Sequence, residues 1–180
     1  EPVSTIEQQR GGHQQIGETT LAANVDFHPP GVEGNAMELN LSIDPEESTE
    51  IRLELLRSDD GEEQTTIRFV RGGGLAGKMG DYGFKADALV LDNGRASLSA
   101  GLLPRPAEVA PFHLEEGETL DLRIFIDKSV VELFANGRQV MGVRAYPERE
   151  DSIGVAIRSV GREATLRSLD AWQMKGIYSS

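Results

Sequence analysis

The feature that most constrains this chain is a two-residue rhythm of apolar and polar side chains that restarts, stretch after stretch, behind turn-forming residues. It runs through residues 36–43 (AMELNLSI), 51–56 (IRLELL), 65–70 (TTIRFV), 88–91 (ALVL) and 122–126 (LRIFI). It resumes in 130–135 (VVELFA), 139–146 (QVMGVRAY), 153–158 (IGVAIR) and 164–174 (ATLRSLDAWQM). A period of two sends successive side chains to opposite faces, so each stretch reads as a strand with one buried face. No window of comparable length favours the 3.6-residue period of a helix. Pro29-Pro30-Gly31, Asp44-Pro45, Asp59-Asp60-Gly61, Asn93-Gly94 and Asn136-Gly137 separate the runs, and Asn-Gly is the strongest two-residue hairpin signal. Short strands at regular spacing predict an all-β chain, a two-sheet antiparallel β-sandwich of jelly-roll or concanavalin-like type.

Two stretches fall outside the rhythm. Residues 1–16 are polar, with Val3 and Ile6 one helical turn apart, and read as a linker or arm with a short helical turn; the sandwich is expected over 17–180. Residues 71–84 (RGGGLAGKMGDYGF) hold six glycines and read as a long exposed loop. A phosphate cradle would need a Gly-Lys-Ser/Thr ending and a following helix, and this stretch has neither.

Composition removes several classes of function. A formal charge of −12 repels phosphate backbones and anionic headgroups, which speaks against nucleic acid and membrane surfaces as partners. No apolar run approaches the about 20 residues a helix needs to cross a bilayer. Cysteine is absent, so disulfides, thiol catalysis and cysteine-ligated metals are ruled out. The three histidines, His13, His28 and His113, lie in no nucleophile or metal motif and read as solvated loop residues, so no metal site and no cofactor is expected. The start Glu1-Pro2-Val3, without Met or a signal-peptide pattern, reads as a processed or excised piece of a longer protein.

Charge enters the apolar rhythm most conspicuously in IDKSVVELFANGR, residues 126–138. A glycosidase needs two carboxylates, about 5 Å apart in a retaining enzyme, and Asp127 and Glu132 are the pair to test. Alternation places Val130, Glu132 and Phe134 on one face, and Val140, Gly142, Arg144 and Tyr146 on one face of the returning strand. Glu132 is then expected across from Arg144 or Arg138. Such a pair is either a structural brace for a half-buried glutamate or part of a sugar site, where carboxylate and guanidinium on rigid strands grip hydroxyl groups. The brace is the commoner use, and periodicity alone leaves both open.

The run LRIFIDKSVVELFANGRQVMGVRAYP, residues 122–147, resembles the signature of the C-terminal β-sandwich of glycoside hydrolase family 32, the β-fructosidases that include invertases, levanases and inulinases. It matches through Asp127, Ser129, Glu132, Phe134, Asn136, Gly137, Arg144, Tyr146 and Pro147, and departs at Lys128, where Arg is usual. PVSTIEQQRGGH, residues 2–13, is similar to the linker that leaves the family's propeller, although Gln9 stands where Leu is usual before Arg10. Leu91-Asp92 and SLDAWQM, residues 168–174, resemble two further family segments. The family's catalytic motifs, of the Trp-x-Asn-Asp-Pro-Asn-Gly, Arg-Asp-Pro and Glu-Cys types, have no counterpart; the Asp44-Pro45 pair follows Ile43 and reads as a turn.

The resemblance therefore implies a non-catalytic accessory sandwich of a fructan- or sucrose-hydrolysing enzyme, whose partner is an N-terminal five-bladed propeller. A parent that degrades polymeric fructan would be secreted. Because related sandwiches form carbohydrate-binding module family 66, the resemblance also implies fructan or terminal fructose as a ligand, with Asp127 and Glu132 accepting from hydroxyls, Arg144 donating and Tyr146 offering a ring. An autonomous fructan-binding module, and one half of a β-fructosidase whose propeller lies on another chain or was removed, are the alternatives. Trp172 is expected to be packed.

Overall fold

The computed structural model describes residues 4–72, 87–99, 101 and 105–175. After a short 3-10 turn at Ser4–Gln9, the chain runs through β1 (Arg10–Ile16), β2 (Thr19–Leu21), β3 (Asp26–Phe27), β4 (Ala36–Asp44), β5 (Glu50–Arg57), β6 (Gln64–Val70) and β7 (Ala88–Arg95). It continues through β8 (Glu108–Pro111), β9 (Leu120–Asp127), β10 (Val130–Ala135), β11 (Gln139–Arg144), β12 (Gly154–Val160) and β13 (Ala164–Met174). The first sheet has the order β1-β13-β4-β9-β10-β11, with β2 also on β13, and the second the order β3-β12-β5-β6-β7-β8. Every strand pair is antiparallel.

The two sheets bury the faces that alternation assigns inward. Met37, Leu39, Leu41 and Ile43 of β4, Leu120, Leu122, Ile124 and Ile126 of β9, and Val131 and Leu133 of β10 meet Ile51, Leu53 and Leu55 of β5, Ile67 and Phe69 of β6, and Leu89 and Leu91 of β7. Each such Leu or Ile contributes about 1.5–3 kcal/mol by leaving water. Along β13 the inward set changes parity, from Ala164 and Leu166 to Leu169 and Ala171, because the register shifts between Leu166 and Ser168. That irregularity inserts one residue and returns the following side chains to the core.

The polar residues 10–16, expected in the arm, form β1: Arg10 pairs with Met174 and Ile16 with Leu169, so the first sheet takes in chain ahead of Gly17. β1 is held by its ladder with β13, which is interrupted at a Gly11–His13 irregularity where Gly12 takes φ +32°. The short strands β2, β3 and β8 carry no legible alternation and exist for the same reason. The glycine-rich stretch, beyond Gly72 as far as Phe84, lies outside the described residues.

At one end of the sandwich Glu63 is fully buried. Its carboxylate accepts from Ser152 Oγ at 2.6 Å and from the backbone N–H groups of Leu98, Glu148 and Arg149 at 2.9–3.1 Å. Burial pushes this carboxyl up, and the donors outweigh it, so the group stays below its ordinary range. One side chain thus anchors the loops that follow β7 and β11.

Candidate functional site

The outward face of the first sheet carries a buried carboxylate set among aromatic rings and arginines. Register aligns one row across it: His13 beside Trp172, Trp172 beside Glu38, Glu38 beside Phe125, Phe125 beside Glu132, and Glu132 beside Gly142. The row divides into two halves of different character.

In the first half Glu38, at 0% exposure, is the hub. Arg10 grips it with two bonds, Nε to Oε2 at 2.8 Å and Nη2 to Oε1 at 2.7 Å, and Arg123 Nε donates to Oε1 at 2.8 Å. The Arg10 guanidinium lies 4.0 Å from the Trp172 ring centre, and that of Arg123 lies 5.1 Å from the Phe125 ring. Two aromatic rings therefore flank the carboxylate on the sheet, and each carries an arginine that reaches back to it. Burial pushes the Glu38 carboxyl up, and the hydrogen bonds and charges of the two arginines overcome that and hold it below the usual range. His13 stacks on Trp172 at 4.9 Å with the rings 6° from parallel, and its Nε2 lies 2.7 Å from Asp170 Oδ1. His13 is thus a strand residue with a carboxylate partner rather than a solvated loop histidine. The turn ahead of β1 reaches the same face, since Glu7 lies 3.4 Å from Arg123 Nη2 and 3.7 Å from Arg10 Nη2.

The second half is the β9–β10–β11 hairpin pair that holds Asp127, Glu132, Arg144 and Tyr146. The tip at Asn136-Gly137 has positive φ at both residues, 46° and 63°, and Arg138 N–H donates to Ala135 C=O at 3.0 Å, as a type I′ turn requires. The ladder, however, closes at Ala135 with Gln139, which leaves Arg138 as an extra residue. Its guanidinium is drawn off the sheet by Glu118, at 2.7 and 3.0 Å, and by the His113 carbonyl at 2.6 Å. The bond from Arg138, with those from Glu115 N–H and Asn136, lowers the Glu118 carboxyl to about 2.

The expected brace between Glu132 and an arginine is absent. Glu132 stands directly across from Gly142, Arg138 belongs to Glu118, and Arg144 sits opposite Val130 with its Nη1 donating to the Tyr146 hydroxyl at 3.3 Å. Periodicity assigned the faces but not the register, and the extra residue at Arg138 sets the register. Asp127, Glu132 and Arg144 do share the outward face, in a row Asp127–Val130–Arg144 with Glu132 two residues along β10. The side chains of Asp127 and Glu132 have no hydrogen-bond or ion-pair partner among the described residues. Depressions of about 520 Å³ and 420 Å³ lie elsewhere, the first lined by Glu46, Glu47 and Arg162 and the second by His113, Glu115 and Arg138. Among the described residues no group of His, Asp or Glu has the arrangement to hold a metal ion.

Sequence reasoning missed Glu38. Its stretch, AMELNLSI, reads as an ordinary strand with a solvated outward glutamate. The available signal was the size of the neighbouring outward residues, since Trp172 and Phe125 are too large for a sheet face left wholly to water.

Comparison with known proteins agrees with the architecture. The chain is 33% identical over 130 residues to β-fructofuranosidase 1 of Zea mays, a match that covers 69% of this chain and 18% of that protein. Among solved structures, fructan 1-exohydrolase IIa from Cichorium intybus superposes with a TM-score of 0.82 at 17% identity, over 97% of this chain and 37% of that one. A fructosyltransferase from A. japonicus superposes with a TM-score of 0.73 at 20% identity, over 94% of this chain and 28% of that one. At such identities the superpositions speak for the fold alone, and the chain spans well under half the length of each of these proteins. Residues 5–173 match the sequence model "Glycosyl hydrolases family 32 C terminal", nearly the whole sandwich, and the chain belongs to that family as its C-terminal module.

Proposed function

We propose that this chain is the non-catalytic accessory sandwich of an enzyme acting on β-fructofuranosides, and that the outward face of its first sheet braces an N-terminal five-bladed propeller. One observation carries the reading. Glu38 is fully buried under Arg10, Arg123, Trp172 and Phe125 on a face that neither sheet packs against, and the turn at Ser4–Gln9 brings Glu7 to it. Exposed sheet faces ordinarily carry small polar side chains; large aromatic and arginine residues mark surfaces that pack against a partner. On this reading the hydrolytic carboxylates lie in the propeller, and Asp127 and Glu132 take no part in bond cleavage. The test is amide hydrogen exchange on the chain alone and on the chain joined behind a family 32 propeller. Added protection along β13, β4 and β9 is expected in the longer protein; equal exchange in both would sink the proposal.

A second reading, contact with the terminal fructose of a fructan, is favoured by the carboxylates of Asp127 and Glu132, unpartnered among the described residues, beside Arg144 and Tyr146. All four side chains are exposed, and Gly142 leaves an opening in front of Glu132. Hydroxyl groups would find acceptors in the two carboxylates, a donor in Arg144 and a ring face in Tyr146. Calorimetric titration with fructose and levan checks this: heat at millimolar sugar that vanishes in Glu132→Ala supports it, and no heat removes it.

A further inference from the structure

Two sheets have four edges, and three of them carry recognisable protection against pairing with another strand. β1 is broken by its Gly11–His13 irregularity, β3 is two residues long, and β8 is four residues long with an exposed Glu108 at its start and Pro111 at its end. Short, bulged, charged and proline-bearing edges are how natural sheets avoid edge-to-edge association. β11 is neither bulged nor proline-bearing nor as short as β3 and β8; its one charge is Arg144, at its end, where Asn93 of β7 also reaches the main chain. Its six residues, QVMGVR, pair with β10 without a register shift, and they contain no proline and no lysine.

The main-chain groups on that edge can be assigned. Ala145 N–H donates to Ser129 C=O at 2.9 Å, so the odd-numbered residues of β11 face β10 and the N–H and C=O of Val140, Gly142 and Arg144 point away from it. The Val140 and Arg144 carbonyls each accept one side-chain bond, from Gln139 at 3.1 Å and Asn93 at 2.8 Å, which leaves each a second lone pair. The Gly142 groups and the N–H groups of Val140 and Arg144 have no partner among the described residues. The side chains on this edge fit the same picture: Val140 is 58% exposed and Tyr146 42%, and Gly142 adds no bulk between them.

We infer that β11 is a pairing edge whose occupant is β11 of a second copy, run antiparallel about a two-fold axis at Gly142. The edge complements itself. Gly142 meets Gly142 with two bonds, Val140 meets Arg144 on either side, and the union makes roughly six main-chain hydrogen bonds. Each Val140 loses its exposure against the aliphatic stem of an arginine. Each Arg144 also comes within about 12 Å, Cα to Cα, of the unpaired Glu132 of the other copy, across two strands and past the opening at Gly142. Arg144 is also a diagonal neighbour of Glu132 in its own copy, so these charges add attraction between the copies while the paired bonds at Gly142 set the register. This inference is independent of the propeller reading, which uses the other half of the sheet.

Sedimentation of the 180-residue chain at about 150 mM salt, where the charge of −12 on each copy is screened beyond about 8 Å, tests it directly. A concentration-dependent monomer–dimer equilibrium is expected. Val140→Lys places an edge-protecting cation on an exposed position and should weaken the dimer at least tenfold with the melting temperature unchanged. Arg144→Glu should weaken it too, and adding Glu132→Arg to that variant should recover part of the loss. A monomer at every concentration, or a dimer indifferent to both single substitutions, would overturn the inference.

Discussion

Glu38 and Glu132 stand two places apart in one row of the same sheet face and could hardly be placed more differently. Glu38 lies on a central strand, receives three N–H donors from two arginines and has no exposed surface. Glu132 lies next to the edge strand, opposite a glycine, and has no partner among the described residues. The difference separates a carboxylate that the fold itself consumes from one left over for another molecule. Charge and strand position alone do not tell the two apart; what does is the side chain on the adjoining strand. Aromatic neighbours exclude water around Glu38 and hold the arginines in place, whereas Gly142 opens Glu132 to solvent.

Substitution offers the harshest way to break the comparison. Glu38→Ala leaves the Arg10 and Arg123 guanidinium groups partly buried without their anion and should cost about 3 kcal/mol, the low end for a disrupted buried pair because both arginines keep some contact with water. Glu132→Ala should stay within about 0.5 kcal/mol, as for a surface position. Urea denaturation of the two variants checks both, and equal losses would erase the distinction.

Acid is the next probe. Glu38 and Glu63 both have carboxyls held below their ordinary 4.5, so their stabilisation is complete above that pH and fades as pH falls through the lower, folded values. Melting temperature should decline below about pH 4.5. Glu38→Gln, less stable at neutral pH, should show a shallower decline.

The open half depends on its turns. A Cβ on Gly137 would meet nothing within 4 Å, so the obstacle to Gly137→Val is the φ of +63° and not crowding. The expected loss is about 1 kcal/mol or more, read from the melting temperature. The smallest effect belongs to Lys128, a non-glycine residue at φ +53° in the β9–β10 turn. Lys128→Gly relieves that conformation and should stabilise by about 0.5 kcal/mol after the added freedom of the unfolded chain is counted.

Alternation sufficed for the long strands because each has a core to face: Leu122, Ile124 and Ile126 cannot all be inward unless β9 is extended. It could not reveal β1, whose RGGHQQI has no apolar rhythm and is a strand only because β13 offers it a ladder. The faces of Asp127, Glu132 and Arg144 were legible, but their partners were not. A one-residue excess at Arg138, drawn out by Glu118, puts Glu132 opposite Gly142 and leaves Arg144 two residues along, and that contact joins residues twenty positions apart. Glu38 stayed hidden because its arginines come from opposite sides, 28 positions ahead and 85 behind.

The ladder between β1 and β13 also sets a timetable. Residue 13 waits for residue 172, and β4 lacks its neighbour on that side until β13 arrives, so half of the first sheet is assembled from strands far apart in the sequence. During synthesis β1 and β2 must remain unpaired until nearly all of this stretch has left the ribosome. Contacts of such span make folding slow and leave strand edges open meanwhile. A polypeptide stopped before Ala164 would expose β1, β2 and one side of β4 together, and its fate is aggregation or degradation rather than a smaller working domain.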